Sequence, residues 1–370
     1  MDEFGPQMMM RKYWPLAVLS VGVLVIVAVA NTFGGEQLQT TLIEMLIRMI
    51  VVVAMQLFIG NSGVLSFGHI GFMCVGAYVA AWATCEPNWK QLMLTGLPNF
   101  LQTAQWPFPV DVITAGVVSA LVALLFGAVV IRLSGIAASI ATFAFLAIIN
   151  SVYSNWETVT GGTSSIIGIP TLNGPWPIVI FVLLTMLGAF LFQNSRFGLM
   201  LRASRDDDVA ATASAVEVVR VRLIAFVVSA FFVGIGGGLY AHFLGVLTVD
   251  VFYLSLTFIT LSMLVVGGVG SVSGAVVGVV AVTVVVEVLR SLEAGLNVGS
   301  AHLALPEGSQ EIGLGLIMAL ILIFRPSGLT RSREIPWPIA TRATAVPTPA
   351  SQPITDIAAA SPAPVKRAAE

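Results

Sequence analysis

The chain has 370 residues, 57% of them hydrophobic and only 10% charged, with a mean hydropathy of +0.95. That composition excludes an ordinary soluble domain and leaves a polytopic membrane protein. The formal charge of -2 decides little, because in a membrane protein the placement of basic residues matters more than their sum.

A bilayer core takes about 20 apolar residues per helix, and runs of that kind recur here with gaps too short for soluble domains. Their valine content would suit strands in water; in lipid they read as helices, because each helix satisfies its own backbone. The expected fold is an all-α polytopic membrane protein of about 8–10 transmembrane helices, with broken or re-entrant segments and a cytoplasmic coupling helix.

The first apolar run, Trp14 to Ala30, follows Arg11 and Lys12 and ends in a small-x-small Ala28-Val29-Ala30. It exceeds a signal-peptide core and a second run follows closely, which predicts an uncleaved helix. The second span, Leu38 to Gly60, carries Glu44 and Arg48 one turn apart. That spacing predicts a local ion pair, facing the bundle, with a substrate contact as the competing role.

Gly60-Asn61-Ser62-Gly63-Val64-Leu65-Ser66-Phe67-Gly68-His69-Ile70-Gly71 then leads into Phe72 to Ala83. Glycines and polar side chains at membrane depth survive only where protein or a wet cavity covers them, so this segment reads as a broken or re-entrant helix lining a path. A lone histidine such as His69 is more often a satisfied interior residue than a ligand. Cys74 and Cys85 show neither metal spacing nor a disulfide framework and read as small packing residues.

Residues 85–111 form a loop with Trp89 and Trp106, suited to an interface. Spans follow at Val112 to Ile131 and Gly135 to Tyr153, then a glycine-rich loop, Thr160-Gly161-Gly162-Thr163-Ser164-Ser165 with Gly168-Ile169-Pro170. It lacks the strand and lysine of a phosphate-binding loop. After Trp176 to Gln193 comes the longest polar interruption, Arg196 to Arg222, with five arginines beside Asp206, Asp207, Asp208 and Glu217.

Within it Ser204 and Asp207 have the spacing of a capping box, and Val209, Ala213 and Val216 would give the helix that follows one small apolar face. Such a helix either docks into a partner's groove or lies on the chain's own membrane domain. Leu223 to Leu244 holds Gly234 and Gly238, and Val272 to Leu292 holds Gly274 and Gly278, both at the spacing that lets helices approach closely. Glu287 and Arg290 are again one turn apart. A loop through His302, Pro306 and Glu307 precedes a short last span, Glu311 to Phe324; from Thr330 the composition turns to Pro, Ala, Thr and Ser, the mark of a disordered tail.

With a cytoplasmic amino terminus and ten spans, eleven basic residues fall in cytoplasmic segments and two, Lys90 and Arg290, in outer ones. This asymmetry puts the charged loop and both termini inside the cell. The chain carries no GxxxxGK[ST], HExxH, CxxC or GxSxG, and no membrane-embedded carboxylate cluster of the kind a proton relay needs. A membrane enzyme is therefore disfavoured. A permease driven by a partner ATPase, an ion-coupled secondary transporter and a structural subunit are left, and the docking loop favours the first.

Phe58 to Phe72 followed by Gly76-Ala77-Tyr78 resembles the GxxGxLSxGHxxFxxxGAY segment of permeases of branched-chain amino acid ABC transporters. Thr160-Gly161-Gly162-Thr163 with Gly168-Ile169-Pro170 is similar to their TGG…GIP loop, and Leu201-Arg202-Ala203-Ser204-Arg205-Asp206-Asp207 with Ala210-Ala211 to their RAxRxxxxAA coupling segment. Gly267-Gly268-Val269-Gly270-Ser271 and Phe324-Arg325-Pro326-Ser327-Gly328-Leu329 match as well. The motifs run in order over about residues 40–330 and resemble the M-type of the two permeases such importers use. One departure stands after the alanines, where Ser214-Ala215-Val216 replaces the family's glycine.

The resemblance implies a bacterial inner-membrane, multi-pass transport subunit that is not itself an enzyme and needs no cofactor or metal. It would pair with a homologous H-type permease, two cytoplasmic ATPase subunits and a substrate-binding protein, surrounded by lipid and without nucleic acid. Branched-chain amino acids would be the cargo, with urea, short amides or other small solutes as the alternative. Arg202, Arg205, Asp206, Asp207, Ala210 and Ala211 would couple to the ATPase; Ser66, Gly68, His69, Gly161, Gly162 and Thr163 would line the path. The chain would then divide into a first segment, 1–37, a permease domain, 38–329, with its coupling loop at 196–222, and a tail, 330–370.

Overall fold

The computed structural model describes residues 6–336 except 134, 173, 294, 295, 299, 300, 304, 305, 307 and 326. Glu307, Pro326 of the closing motif and the expected tail beyond residue 336 lie outside the described residues.

In chain order the helices are α1 (Pro6–Phe33), α2 (Glu36–Ser62), α3 (His69–Thr84), α4 (Pro87–Met93), α5 (Asn99–Thr103), α6 (Phe108–Val130), α7 (Gly135–Asn155), α8 (Glu157–Thr160), α9 (Trp176–Gln193), α10 (Arg196–Asp206), α11 (Asp208–Ala213), α12 (Val218–Leu244), α13 (Leu254–Gly267), α14 (Val272–Glu293) and α15 (Ser309–Phe324). Among the described residues, eight segments are long and apolar enough to cross a membrane, the one ending in α13 including the 3₁₀ turn Val249–Phe252; α3 and α15 are shorter apolar helices. The protein is an all-α polytopic membrane protein.

Short as it is, α3 runs parallel to α7: Gly68 meets Thr142, Phe72 stacks near Phe145, Tyr78 packs on Tyr153, and the Trp82 indole donates to the Val159 carbonyl at 2.9 Å. Sixteen helical residues span about 24 Å, and the non-helical stretch 63–68 lengthens the segment.

The bundle is layered around α2. Within its most apolar stretch 89% of residues are buried, against 22% in α7. The apolar side chains of α6 and α7 that would face water in a soluble protein, such as Leu125 at 76% and Ile136 at 80% exposure, form a lipid-facing surface. Without a hydrophobic drive between helices in lipid, the inner layer relies on close backbone approach. A Cβ at Gly237 of α12 would sit 2.0 Å from the Met73 carbonyl oxygen of α3, and one at Gly278 of α14 at 2.0 Å from that of Met263 in α13. Gly234 and Gly238 serve the other side of α12, against Ser119 and Ala115 of α6.

Both ends of the bundle are tied. At one, β1 (Ile166–Ile167) pairs antiparallel with β2 (Val246–Leu247), and the Leu172 amide donates to the His242 carbonyl at 3.2 Å, so the glycine-rich loop is fastened to the end of α12. A second two-stranded ribbon, β3 (Leu296–Val298) with β4 (Ala301–Leu303), follows α14. At the opposite end Glu334 accepts the Val272 and Ser273 amides at 2.8 and 3.1 Å, an anion on the positive end of the α14 dipole. Gln193, closing α9, donates to the same carboxylate at 3.3 Å.

Candidate functional site

The charged interruption folds as two helices, with corrections to the expected boundaries. Ser195 caps the first, its Oγ accepting the Gly198 amide at 3.3 Å, and the second starts at Asp207 rather than at the expected Ser204. Ser204 lies inside α10, where its hydroxyl donates to the Leu201 carbonyl at 2.9 Å and so is spent within the helix. Asp207 is extended and caps α11, accepting the Val209 and Ala210 amides at 2.8 and 3.0 Å. Since α11 ends at Ala213, the apolar stripe over Val209, Ala213 and Val216 does not form; Ala211 is the buried residue and Val209 is 80% exposed.

Three of the five arginines, Arg202, Arg205 and Arg222, turn back onto the bundle, while Arg196 and Arg220 stay exposed. Arg205 donates to the Gly60 carbonyl at 2.6 Å and Arg202 to the Gln193 carbonyl at 2.7 Å. Each thereby places a cation on carbonyls at a helix C-terminus that have no helical partner, at the ends of α2 and α9. The bend after α2 makes room for this: Gly63 has φ +71°, and a Cβ there would stand 2.6 Å from Arg205 Cγ. Arg222 Nη2 bridges both oxygens of Asp208 at 2.8 and 2.9 Å, joining α11 to α12. Asp206, Asp207 and Ala210 are exposed on the outer face of this hairpin.

Ala215, at φ +61°, occupies the left-handed region that the family's glycine would enter freely. The departure noted in the sequence therefore stores backbone strain immediately after α11.

Ser66, Gly68 and His69 sit together at the start of α3, behind α7. The Phe67 amide donates to Thr142 Oγ1 at 3.2 Å and Ser139 donates to the Leu65 carbonyl at 2.6 Å, so α7 satisfies the broken backbone. His69 is fully buried, with Nδ1 2.9 Å from Ser66 Oγ and Nε2 2.9 Å from Ser229 Oγ. Because Ser229 gives its proton to the Ala54 carbonyl at 2.5 Å, it must accept from His69 Nε2–H, which leaves Nδ1 to accept from Ser66. The histidine is a satisfied interior residue linking α2, α3 and α12. Gly161 and Thr163 lie at the other end, lining a cavity of about 340 Å³ with Trp89, Glu157 and Ser165, while Gly162 turns at φ +61° beside them. The six residues expected on one path thus form two separate groups.

The Glu44–Arg48 pair forms as its spacing predicts, and Arg48 is 9% exposed. Glu287 lies 3.5 Å from Arg290 and also accepts from Gln37 and Thr41. Cys74 and Cys85 are free and buried, and burial pushes the Cys85 thiol up to about 12.

Sequence reasoning missed two tethers. Lys90, counted as an outer-loop charge, is fully buried and donates to the carbonyls of Trp82, Leu101 and Ala104 at 3.0, 2.8 and 2.6 Å; burial lowers its ammonium below the usual lysine range. His242 bridges Asp111 at 2.7 Å and the Pro170 carbonyl at 2.7 Å, holding the glycine-rich loop over the mouth of α6. An aspartate opening an otherwise apolar span was the available signal.

A family model for the permease component of branched-chain amino acid transport systems matches residues 37–324. The high-affinity branched-chain amino acid transport system permease protein LivM of Salmonella typhimurium is 27% identical over 341 residues, covering 83% of this chain and 73% of that protein. LivM of Escherichia coli K12 is 27% identical over 319 residues, covering 77% and 68%. No solved structure matches the chain.

Proposed function

The chain belongs to the permease-component family of branched-chain amino acid transport systems, and from that premise we propose how it moves its cargo. It is the multi-pass inner-membrane permease subunit of an ABC importer for branched-chain amino acids, and it works with partner subunits. Its partners in our reading are a homologous H-type permease, two cytoplasmic ATPases and a binding protein that delivers the amino acid from outside.

The observation that carries the mechanism is the arginine-latched hairpin α10–α11. Its exposed face, with Asp206, Asp207, Val209 and Ala210, is the surface an ATPase would grip. Its inner face is fastened to α2 through Arg205, to α9 through Arg202 and to α12 through Asp208 and Arg222. Closure of the ATPase pair on ATP displaces α11, and those ties pass the displacement to α2, deep in the bundle. Packed helices shift between discrete arrangements, so a small movement at the hairpin tilts α2, α3 and α12 together and opens the path on one side at a time. Ser66, Gly68 and His69, buried behind α7 in this conformation, join the inner part of that path's wall only as the tilt opens it; Gly161, Gly162 and Thr163 contribute its outer mouth.

Replacing Ala211 with Glu puts a charge into a buried position of the hairpin, and replacing Arg205 with Glu breaks its tie to Gly60. Each variant should insert normally yet lose leucine uptake and co-purification with the ATPases. Undiminished uptake in either would remove the coupling role.

A further inference from the structure

A charged side chain at mid-membrane is expensive, and Glu44 alone could neutralise Arg48 in a closed interior. Arg48 instead forms part of the wall of a space of about 690 Å³, and its buried Nε–H has no hydrogen-bond partner. Small-molecule sites measure about 300–1,000 Å³ and combine apolar walls with a few convergent polar groups. Here Asp250, Tyr240 and Ser262 line the same space as Leu256, Ile259 and Met318. Asp250 lies in the turn Val249–Phe252 and Tyr240 about one turn before the end of α12, so the space opens at the outer end of the bundle. A guanidinium has five N–H donors in a planar fork; Glu44 engages Nη2, Nε–H is sealed from the space, and the Nη1 donors remain for a second carboxylate.

Resting on the transport reading above, we propose that this space is a binding station for an α-amino acid within the permease itself. Arg48 receives the α-carboxylate, Asp250 the ammonium, and the wall of Leu256, Ile259 and Met318 the branched side chain. Glu44 keeps the guanidinium in place when the station is empty. The station selects zwitterions with aliphatic side chains, which adds a second selection after that of the binding protein.

The test uses the assembled importer without binding protein, carrying Ser255→Cys at the rim as a reporter; Cys74 and Cys85 are buried and give little background. Leucine at about five times its Kd should slow maleimide labelling about sixfold, the factor being one plus the ratio of concentration to Kd. Isoamylamine, which lacks the carboxylate, and isocaproate, which lacks the ammonium, should leave the rate unchanged at that concentration. Asp250→Asn, and the neutral pair Glu44→Gln with Arg48→Gln, should each abolish leucine protection, measured as the ratio to that variant's own ligand-free rate. The ligand series needs no change at Arg48, so it decides even if the neutral pair fails to insert. Absence of protection, protection by isoamylamine equal to that by leucine, or protection that survives Asp250→Asn would overturn the station. Leucine uptake by the complete wild-type importer is measured in parallel: its absence would refute the transport reading, whereas uptake without protection refutes only the station.

Discussion

Replacing Asp208 with Asn tests whether the hairpin is held by the bond to Arg222. The carboxylate meets Arg222 Nη2 through both oxygens, with the arginine side chain 10% exposed and the aspartate 45% exposed. A charge-assisted hydrogen bond contributes about 1.5–3 kcal/mol in a buried setting, and solvent screening at the half-exposed aspartate brings this to about 1–1.4 kcal/mol. Helix α11 has six residues, too short to persist without such support. Its opening should therefore become about five- to tenfold more frequent. Hydrogen exchange at the Ala211, Ser214 and Val216 amides, which donate to Asp207, Ala210 and Ala211 respectively, reads that opening directly. Arg222→Gln should give the same increase, and the double variant no more than either single one, because both remove one interaction. Leucine transported per ATP hydrolysed should fall in parallel. Unchanged exchange across residues 208–216 in an inserted protein, or additive effects in the double variant, would refute the latch.

Ala215→Gly should relieve the left-handed strain at φ +61° and stabilise the end of α11 by about 0.5–1 kcal/mol after the entropic cost of glycine, seen as slower exchange of the Val216 amide. Gly237→Ala should destabilise by about 3 kcal/mol or more, since the added methyl meets a backbone oxygen that cannot step aside; Gly22→Ala in α1, with open space around it, should stabilise by up to about 1 kcal/mol. Thermal unfolding in detergent should show the opposite signs. Lys90→Met leaves three carbonyls without their donor and should loosen the outer loop. Cys85 then reports it: in the wild type the thiol, pushed up to about 12, should label slowly even at about pH 9, because the thiolate appears only as pH approaches that value, and in Lys90→Met labelling should accelerate.

Much of this was legible in the residues, for definite reasons. Span positions followed from unbroken apolar runs, and the Glu44–Arg48 and Glu287–Arg290 pairs from helical spacing, which is local. The satisfied state of His69 could be expected, but not that Ser229, 160 positions away, would complete it. The start of α11 was placed three residues early because Ser204 and Asp207 are both good helix caps; Ser204 turns out to lie inside a preceding helix, α10, that the capping pattern alone does not reveal. Gly237 escaped notice beside the regular spacing of Gly234 and Gly238, because which face of α12 meets α3 is a tertiary fact. Lys90 read as a loop charge since nothing local marks the three carbonyls that enclose it.

The depth of α2 also bears on biogenesis. Its flanks are covered by α9, α12, α13 and α14, all translated later, so its carboxyl end leaves the ribosome about 180 residues before α12 is complete. At about 5–20 residues per second that is a wait of some 10–40 s. For most of that interval a helix bearing Glu44, Arg48 and Gln56 has only α1 of its permanent neighbours, α9 joining late, and must be sheltered by the insertion machinery or a chaperone. Depleting such a helper should strike this subunit harder than one whose polar helices meet their neighbours as they emerge.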